Sequence, residues 1–304
     1  MMAIPPSSPP PSLYSELATG SLPRTTNQKL GEAEIPYLIY DADGPPLIFL
    51  HATGFLPWLW HPLARELSPP YQVVAPYFCD HRETSPDDGG LSWLLLAQDL
   101  AEFCLALGLD SPFLVGHSMG ATIMTLASSR FGLNARGMIL IEPIFLPQDF
   151  YRLRITVEQH PLASKSIKRQ NYWDSKEEAD AYVRSRSLFK NWDYEMMNLY
   201  VQYGMKPGVS GGLQLACSPQ REAALFMGGM QYDPWPDLAK VNCPVLILEG
   251  EVSENRKFID LPKATSIFPK GTHQVILGAG HLIPMEKPRE IISNIRNFFD
   301  SLTG

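Results

Sequence analysis

The sequence predicts an α/β protein: a doubly wound, mostly parallel sheet of the eight-stranded type, with helices on both faces and an inserted, mainly helical cap. Three observations lead there. Short, fully apolar runs alternate with helix-length amphipathic segments through the first half of the chain and again near its end. The alternation stops between Ile144 and about Trp235, where helical patterns follow one another without strand-helix units. Finally, Gly116-His117-Ser118-Met119-Gly120 lies between a strand-like run and a helical one, at the kind of strand end where such sheets carry their chemistry.

Taken in order, residues 1–27 begin rich in proline and serine and hold few large apolar groups, which predicts a disordered or loosely packed tail. From Gln28 to Asp41 the pattern alternates and predicts a hairpin at a sheet edge. Leu47 to Leu50 is a buried strand, and Pro57 to Leu67 a helix stopped by Pro69-Pro70. Gln72 to Tyr77 is the next strand, followed by a helix that Ser92 can cap and Gly108 can end. Pro112 to Val115 and Ala121 to Arg130 form the strand and helix around Ser118, and Gly137 to Ile141 is a strand ending at Glu142-Pro143. The cap holds helical stretches at Glu177 to Leu188 and Tyr194 to Tyr203, with a strand-like run at Leu213 to Cys217. Strands at Pro244 to Leu248 and His273 to Leu277 and an amphipathic helix at Arg289 to Leu302 complete the chain. The expected division is a core of residues 28–143 and 236–304 with a cap of residues 144–235.

The chain has 304 residues, 45% of them hydrophobic, enough for one large domain with an insertion. A formal charge of -7 argues against a nucleic-acid surface, which needs clustered Lys and Arg. Cys79, Cys104, Cys217 and Cys243 are scattered and read as reduced core thiols, and the histidines lack ligand spacing, so neither metal nor cofactor is expected. No secretory leader or membrane-length apolar stretch stands out, and a cytoplasmic protein without a membrane partner is the expectation. A small-molecule substrate is the expected partner, and a homodimer is left open.

Glycines flanking a serine at a strand-to-helix turn let the backbone hold strained dihedrals that push the hydroxyl into a cleft. Ser118 is therefore the candidate nucleophile, and the Met119 N–H, at a helix start, a candidate oxyanion donor. A second donor is expected from the loop after the strand at Leu47 to Leu50, with Thr53 favoured and Gly54 letting the backbone approach. A serine hydroxyl needs a base held by a carboxylate. His281 follows the last strand in the turn Gly278-Ala279-Gly280-His281 and fits the base; His117 and His51 read as structural. Glu254 is the favoured acid: among the carboxylates of the loop after Leu248 it lies far enough along to reach back, whereas Glu249 is still in the strand and Glu251 sits early in the turn. Glu142, at the end of the preceding strand, is the rival.

These segments together resemble the α/β-hydrolase superfamily, specifically its serine hydrolases with a helical cap. Gly116-His117-Ser118-Met119-Gly120 resembles the family's elbow, His51 begins its oxyanion loop, and Gly280 to Pro288 resembles its histidine segment. The chain departs from the family at His51-Ala52, where His-Gly is usual, at Asp80-His81-Arg82-Glu83, and at Glu254, near which an aspartate is usual. The resemblance implies hydrolysis of a carboxylic ester, thioester or lactone of a small apolar substrate through an acyl-enzyme on a Ser-His-Glu triad. Carbon–carbon bond hydrolysis or perhydrolysis on the same triad, and a ligand-binding or signalling protein with weak turnover, are the alternatives. The cap aromatics Phe145, Tyr172, Trp173, Phe189 and Trp192 point either to an apolar substrate group or to the cap's own core.

Overall fold

The computed structural model describes residues 22–79, 81–209 and 211–303. Residues 1–21, most of the expected tail, lie outside the described residues. The strands are β1 (Arg24–Leu30), β2 (Ala33–Tyr40), β3 (Pro46–Leu50), β4 (Gln72–Pro76), β5 (Phe113–His117), β6 (Gly137–Ile141), β7 (Met205–Pro207), β8 (Leu213–Leu215), β9 (Val245–Gly250) and β10 (Gly271–Ile276). Eight of them form one sheet in the order β1-β2-β4-β3-β5-β6-β9-β10, while β7 and β8 make a separate pair. The first two ladders, β1 to β2 and β2 to β4, are antiparallel, and every later one is parallel.

The hairpin starts earlier than expected. Arg24 pairs with Ile39, so residues 24–27 belong to β1 and not to the tail. The reason they do not read as strand is physical: β1 is an edge strand whose residues are mostly exposed, so no buried alternation marks it.

The helices are α1 (His61–Leu67), α2 (Trp93–Ala106), α3 (Met119–Arg130), α4 (Ala163–Ile167), α5 (Lys176–Ser185), α6 (Tyr194–Tyr203), α7 (Pro219–Gly228), α8 (Trp235–Leu238), α9 (Leu261–Ile267), α10 (Ile283–Glu286) and α11 (Pro288–Asp300). The central strands are apolar throughout because both faces are covered. Phe49, Val115, Ile139 and Leu248 point into one cluster, with Leu63 of α1 and Ile295 and Phe299 of α11. Their neighbours Ile48, Leu114, Met138 and Ile247 point into the other, with Leu100 of α2, Ile123 of α3 and Leu261 of α9. A period of two across a doubly covered sheet yields this continuous apolar run.

Between β6 and β9 lie α4 to α8 and the β7–β8 hairpin, and the first apolar cluster runs on into this segment through Trp173, Phe189, Trp192, Met196 and Tyr200. The cap is tied to the core on two sides. On one, the Leu91 N–H donates to the Ala224 carbonyl of α7 at 2.9 Å, and Trp93 Nε1 donates to the Leu225 carbonyl at 2.8 Å. On the other, Trp58 stacks on Tyr203 with ring centroids 3.7 Å apart, and the Asp193 N–H donates to the Met285 carbonyl at 2.8 Å. Of the aromatic residues singled out in the cap, Phe145 and Trp173 are core, Tyr172 is largely exposed, and Phe189 and Trp192 pack around Tyr200.

Candidate active site

Ser118 stands between β5 and α3 with φ 54° and ψ -115°, a conformation that costs an L-residue about 1–3 kcal/mol. The strand spacing around it explains the flanking glycines. A side chain on Gly116 would strike the backbone of Ala121, and one on Gly120 would strike the Leu50 and His51 carbonyls of the neighbouring strand end. Only glycine lets α3 start this close to β3 and β5.

The His281 ring reaches the serine from the loop after β10. Its Nε2 lies 3.1 Å from Ser118 Oγ, and its Nδ1 lies 3.0 Å from Glu142 Oε2. Three contacts fix that loop. His117 Nε2 donates to the His281 carbonyl at 2.9 Å, the Gly280 N–H donates to Glu286 Oε2 at 2.7 Å, and the Gly278 N–H donates to Glu251 Oε2 at 2.8 Å. Burial lowers the His117 pKa to about 3, so its ring is neutral and its Nε2 carries the proton it donates. A side chain on Gly250 would collide with the Ala279 and Gly280 carbonyls, so the close approach of the β9 end to the histidine loop requires glycine there.

The structure corrects the acid. Glu254, favoured by the sequence, is exposed and opens a short helical turn from Glu254 to Lys257. Its neighbours Ser253 and Asn255 face inward instead, which turns the side chain between them to the outside. Glu142 is the carboxylate at the imidazole. It is buried, its φ is 49°, and it accepts from the Gly250 N–H at 2.7 Å and from Ser253 Oγ at 2.7 Å besides meeting His281. Asn255 also reaches the ring, its side-chain amide lying 3.0 Å from His281 Nδ1.

The two residues expected to line an oxyanion hole lie on different elements. Met119 is the first residue of α3 and buried. Thr53 is buried in the turn after β3, where the Phe55 N–H donates to the Ala52 carbonyl at 3.1 Å and Gly54 has φ +77°. His51 braces this turn: its Nδ1–H donates to the Ala52 carbonyl at 2.9 Å, while its Nε2 accepts from the Phe78 N–H at 2.9 Å beyond β4. It thereby fixes its own loop.

The match to known proteins fits this frame. Residues 47–294 match the model of the alpha/beta hydrolase family. The chain belongs to that family. It is a hydrolase. Among similar family members, the chain is 25% identical over 258 residues to the 2-(acetamidomethylene)succinate hydrolase of Mesorhizobium japonicum, covering 85% of this chain and 89% of that one. It is 25% identical over 275 residues to an sn-1-specific diacylglycerol lipase of Xenopus tropicalis, covering 88% and 82%. The crystal structure of an E-2-(acetamidomethylene)succinate hydrolase superposes with a TM-score of 0.76 at 21% identity, covering 91% of this chain and all of that one. In this sheet Ser118 follows β5, Glu142 follows β6, and His281 lies in the loop after β10.

Among the described residues of this alpha/beta hydrolase no group of three or more His, Cys, Asp or Glu could hold a metal ion, and no helix is long and apolar enough to cross a membrane. Sequence reasoning missed Ser253 and Asn255, although both lie in the loop it searched for an acid; it weighed only carboxylates there. It also missed Glu222 of α7 and Arg169, which form a partly buried ion pair of 2.7 Å beside the Thr53 turn. No local pattern announces that pair, because its partners lie 53 residues apart.

Proposed function

We propose that the protein cleaves a carboxylic ester, thioester or lactone through an acyl-enzyme, with Ser118 as nucleophile, His281 as general base and acid, and Glu142 as the orienting carboxylate. The observation that carries this reading is the continuous chain from Ser118 Oγ to His281 Nε2 at 3.1 Å and from His281 Nδ1 to Glu142 Oε2 at 3.0 Å. With Nδ1 protonated and bonded to Glu142, Nε2 presents its lone pair to the serine hydroxyl. As Oγ attacks the carbonyl carbon, Nε2 takes its proton, and the carboxylate stabilises the imidazolium that forms. The carbonyl electron pair moves onto oxygen, where the Met119 and Thr53 N–H groups are the proposed donors. Collapse expels the leaving group, which takes the proton from Nε2. Water then attacks the acyl-serine by the same route and restores the hydroxyl.

The surroundings and the relatives support this substrate class. Phe55, Phe189, Trp192 and Tyr200 pack together beside the Thr53 turn, with the Phe55 and Trp192 ring centroids 5.6 Å apart. An apolar cluster beside that turn suits a small acyl or aromatic group. Similar proteins named as esterases and lipases support an oxygen ester as the first substrate to try.

A fluorophosphonate probe tests the reading. Wild-type protein should be labelled at Ser118 and hydrolyse short acyl p-nitrophenyl esters, and Ser118→Ala should do neither. Folded wild-type protein that takes no label would overturn the assignment.

A further inference from the structure

The cap places a charged pair, a buried Glu222 and a partly buried Arg169, against the turn that carries Thr53. Glu222 of α7 accepts at Oε2 from Arg169 Nη1 at 2.7 Å, and Arg169 Nη2 donates to Tyr200 Oη at 3.2 Å. The Glu222 carboxylate fills the space that a side chain on Gly54 would need. Tyr200 is itself buried and lies edge-on to Phe55 with ring centroids 6.1 Å apart, so the whole group borders the same turn. α7 is already held to the core by the bonds from Leu91 and Trp93, so its attachment does not need the pair.

Burying the Glu222 carboxylate is costly, since its desolvation offsets much of its attraction to Arg169. Its position gives the cost a reason. Negative charge develops on the substrate oxygen beside Thr53 during attack, and a carboxylate packed on Gly54 opposes that charge in a medium of low dielectric. A guanidinium bonded to the carboxylate cancels the opposition.

We propose that Arg169 is a charge-balancing residue of the oxyanion turn: it acts through Glu222, keeping that carboxylate from destabilising the tetrahedral intermediate. The proposal rests on the reading of Ser118 and Thr53 given above. It assigns Glu222 the packing of the Gly54 turn and Arg169 the neutrality of that packing.

The test compares full-length wild type, Arg169→Gln, Glu222→Gln and Arg169→Gln/Glu222→Gln, with kcat and KM for p-nitrophenyl butyrate measured separately and active sites counted by fluorophosphonate. Arg169→Gln should lose at least tenfold in kcat with KM changed by less than threefold. The double variant, which has no charge left to balance, should be at least fivefold faster in kcat than Arg169→Gln, and Glu222→Gln faster still. A purely structural pair gives the opposite pattern, with the double variant as impaired as the worse single one. A double variant less than fivefold faster than Arg169→Gln overturns the proposal. Should Arg169→Gln not fold, Glu222→Gln and the double variant carry the test, and a Glu222→Gln no faster than the double overturns it. Wild-type protein that is labelled and active while the double shows no recovery sinks only the charge balance; wild-type protein that is neither labelled nor active removes the Ser118 reading and this one with it.

Discussion

β6 and β9 are neighbours in the sheet, paired in register from Met138 with Val245 to Ile141 with Leu248, and in both segments the residue after that last pair is a glutamate. Glu142 and Glu249 thus start from adjacent positions, yet they take different partners. At Glu142 the chain turns into the left-handed region, the strand stops, and the carboxylate swings to His281. At Glu249 the strand runs on to Gly250, and the side chain pairs with His273 at 3.0 Å and with Arg256 at 3.5 Å. Desolvation raises the Glu249 pKa despite these two partners. Two like residues at like positions therefore differ because of one backbone dihedral. The strain at Glu142, about 1–3 kcal/mol, is offset by its bonds from Gly250, Ser253 and His281.

The largest effect that would break this comparison is Glu142→Gln. It should lower kcat on the order of a thousandfold to ten-thousandfold, because an amide can hold the imidazole in the wrong tautomer; steady-state ester hydrolysis measures it. A loss below tenfold would mean that His281 takes its orientation elsewhere. Adding Asn255→Asp to Glu142→Gln sharpens the point, since Asn255 already stands 3.0 Å from His281 Nδ1. A carboxylate there should restore at least tenfold of the lost kcat, and no recovery would show that only the β6 end supplies the right approach.

The β5 end supplies a smaller and different effect. The native His117 pKa of about 3 lies below the ordinary value of 6.5, so the unfolded chain binds the extra proton between those values. The stability tied to neutral His117 is complete above pH 6.5 and is lost as pH falls from there towards 3, at about 1.4 kcal/mol per pH unit. His117→Gln, which keeps an N–H for the His281 carbonyl, should flatten the acid side of a urea-unfolding pH series by about one proton; an unchanged slope would refute the buried neutral ring. Glu254→Gln should be the mildest change, with kcat within twofold and stability within about 0.5 kcal/mol, as for an exposed site without partners of consequence.

How much of this was legible in the sequence follows the same line. The apolar runs at Leu47 to Leu50 and Gly137 to Ile141 announce buried strands because both faces are covered, and Tyr194 to Tyr203 reads as a helix to its last residue. That Ser118 and His281 come together was readable because glycines beside them signal tight turns. Glu142 lost to Glu254 in the sequence because a positive φ at a glutamate leaves no trace in residue type, whereas distance along a loop does. Asn255 was passed over since only an acid was sought. Arg24 to Asn27 looked like tail because an exposed edge strand lacks the alternation that burial imposes. Contacts between distant segments, such as Arg169 with Glu222, exist only once the chain has folded.

The strained backbone at Ser118 has a consequence for anyone trying to make the enzyme more robust. Glycine adopts φ near +54° without penalty, and Ser118→Gly would surrender a single side-chain bond to His281. A selection for heat resistance alone should therefore drift towards removing the proposed nucleophile, gaining about 1 kcal/mol in melting experiments while losing turnover. At this position durability and work pull in opposite directions, and any improvement programme must screen for both.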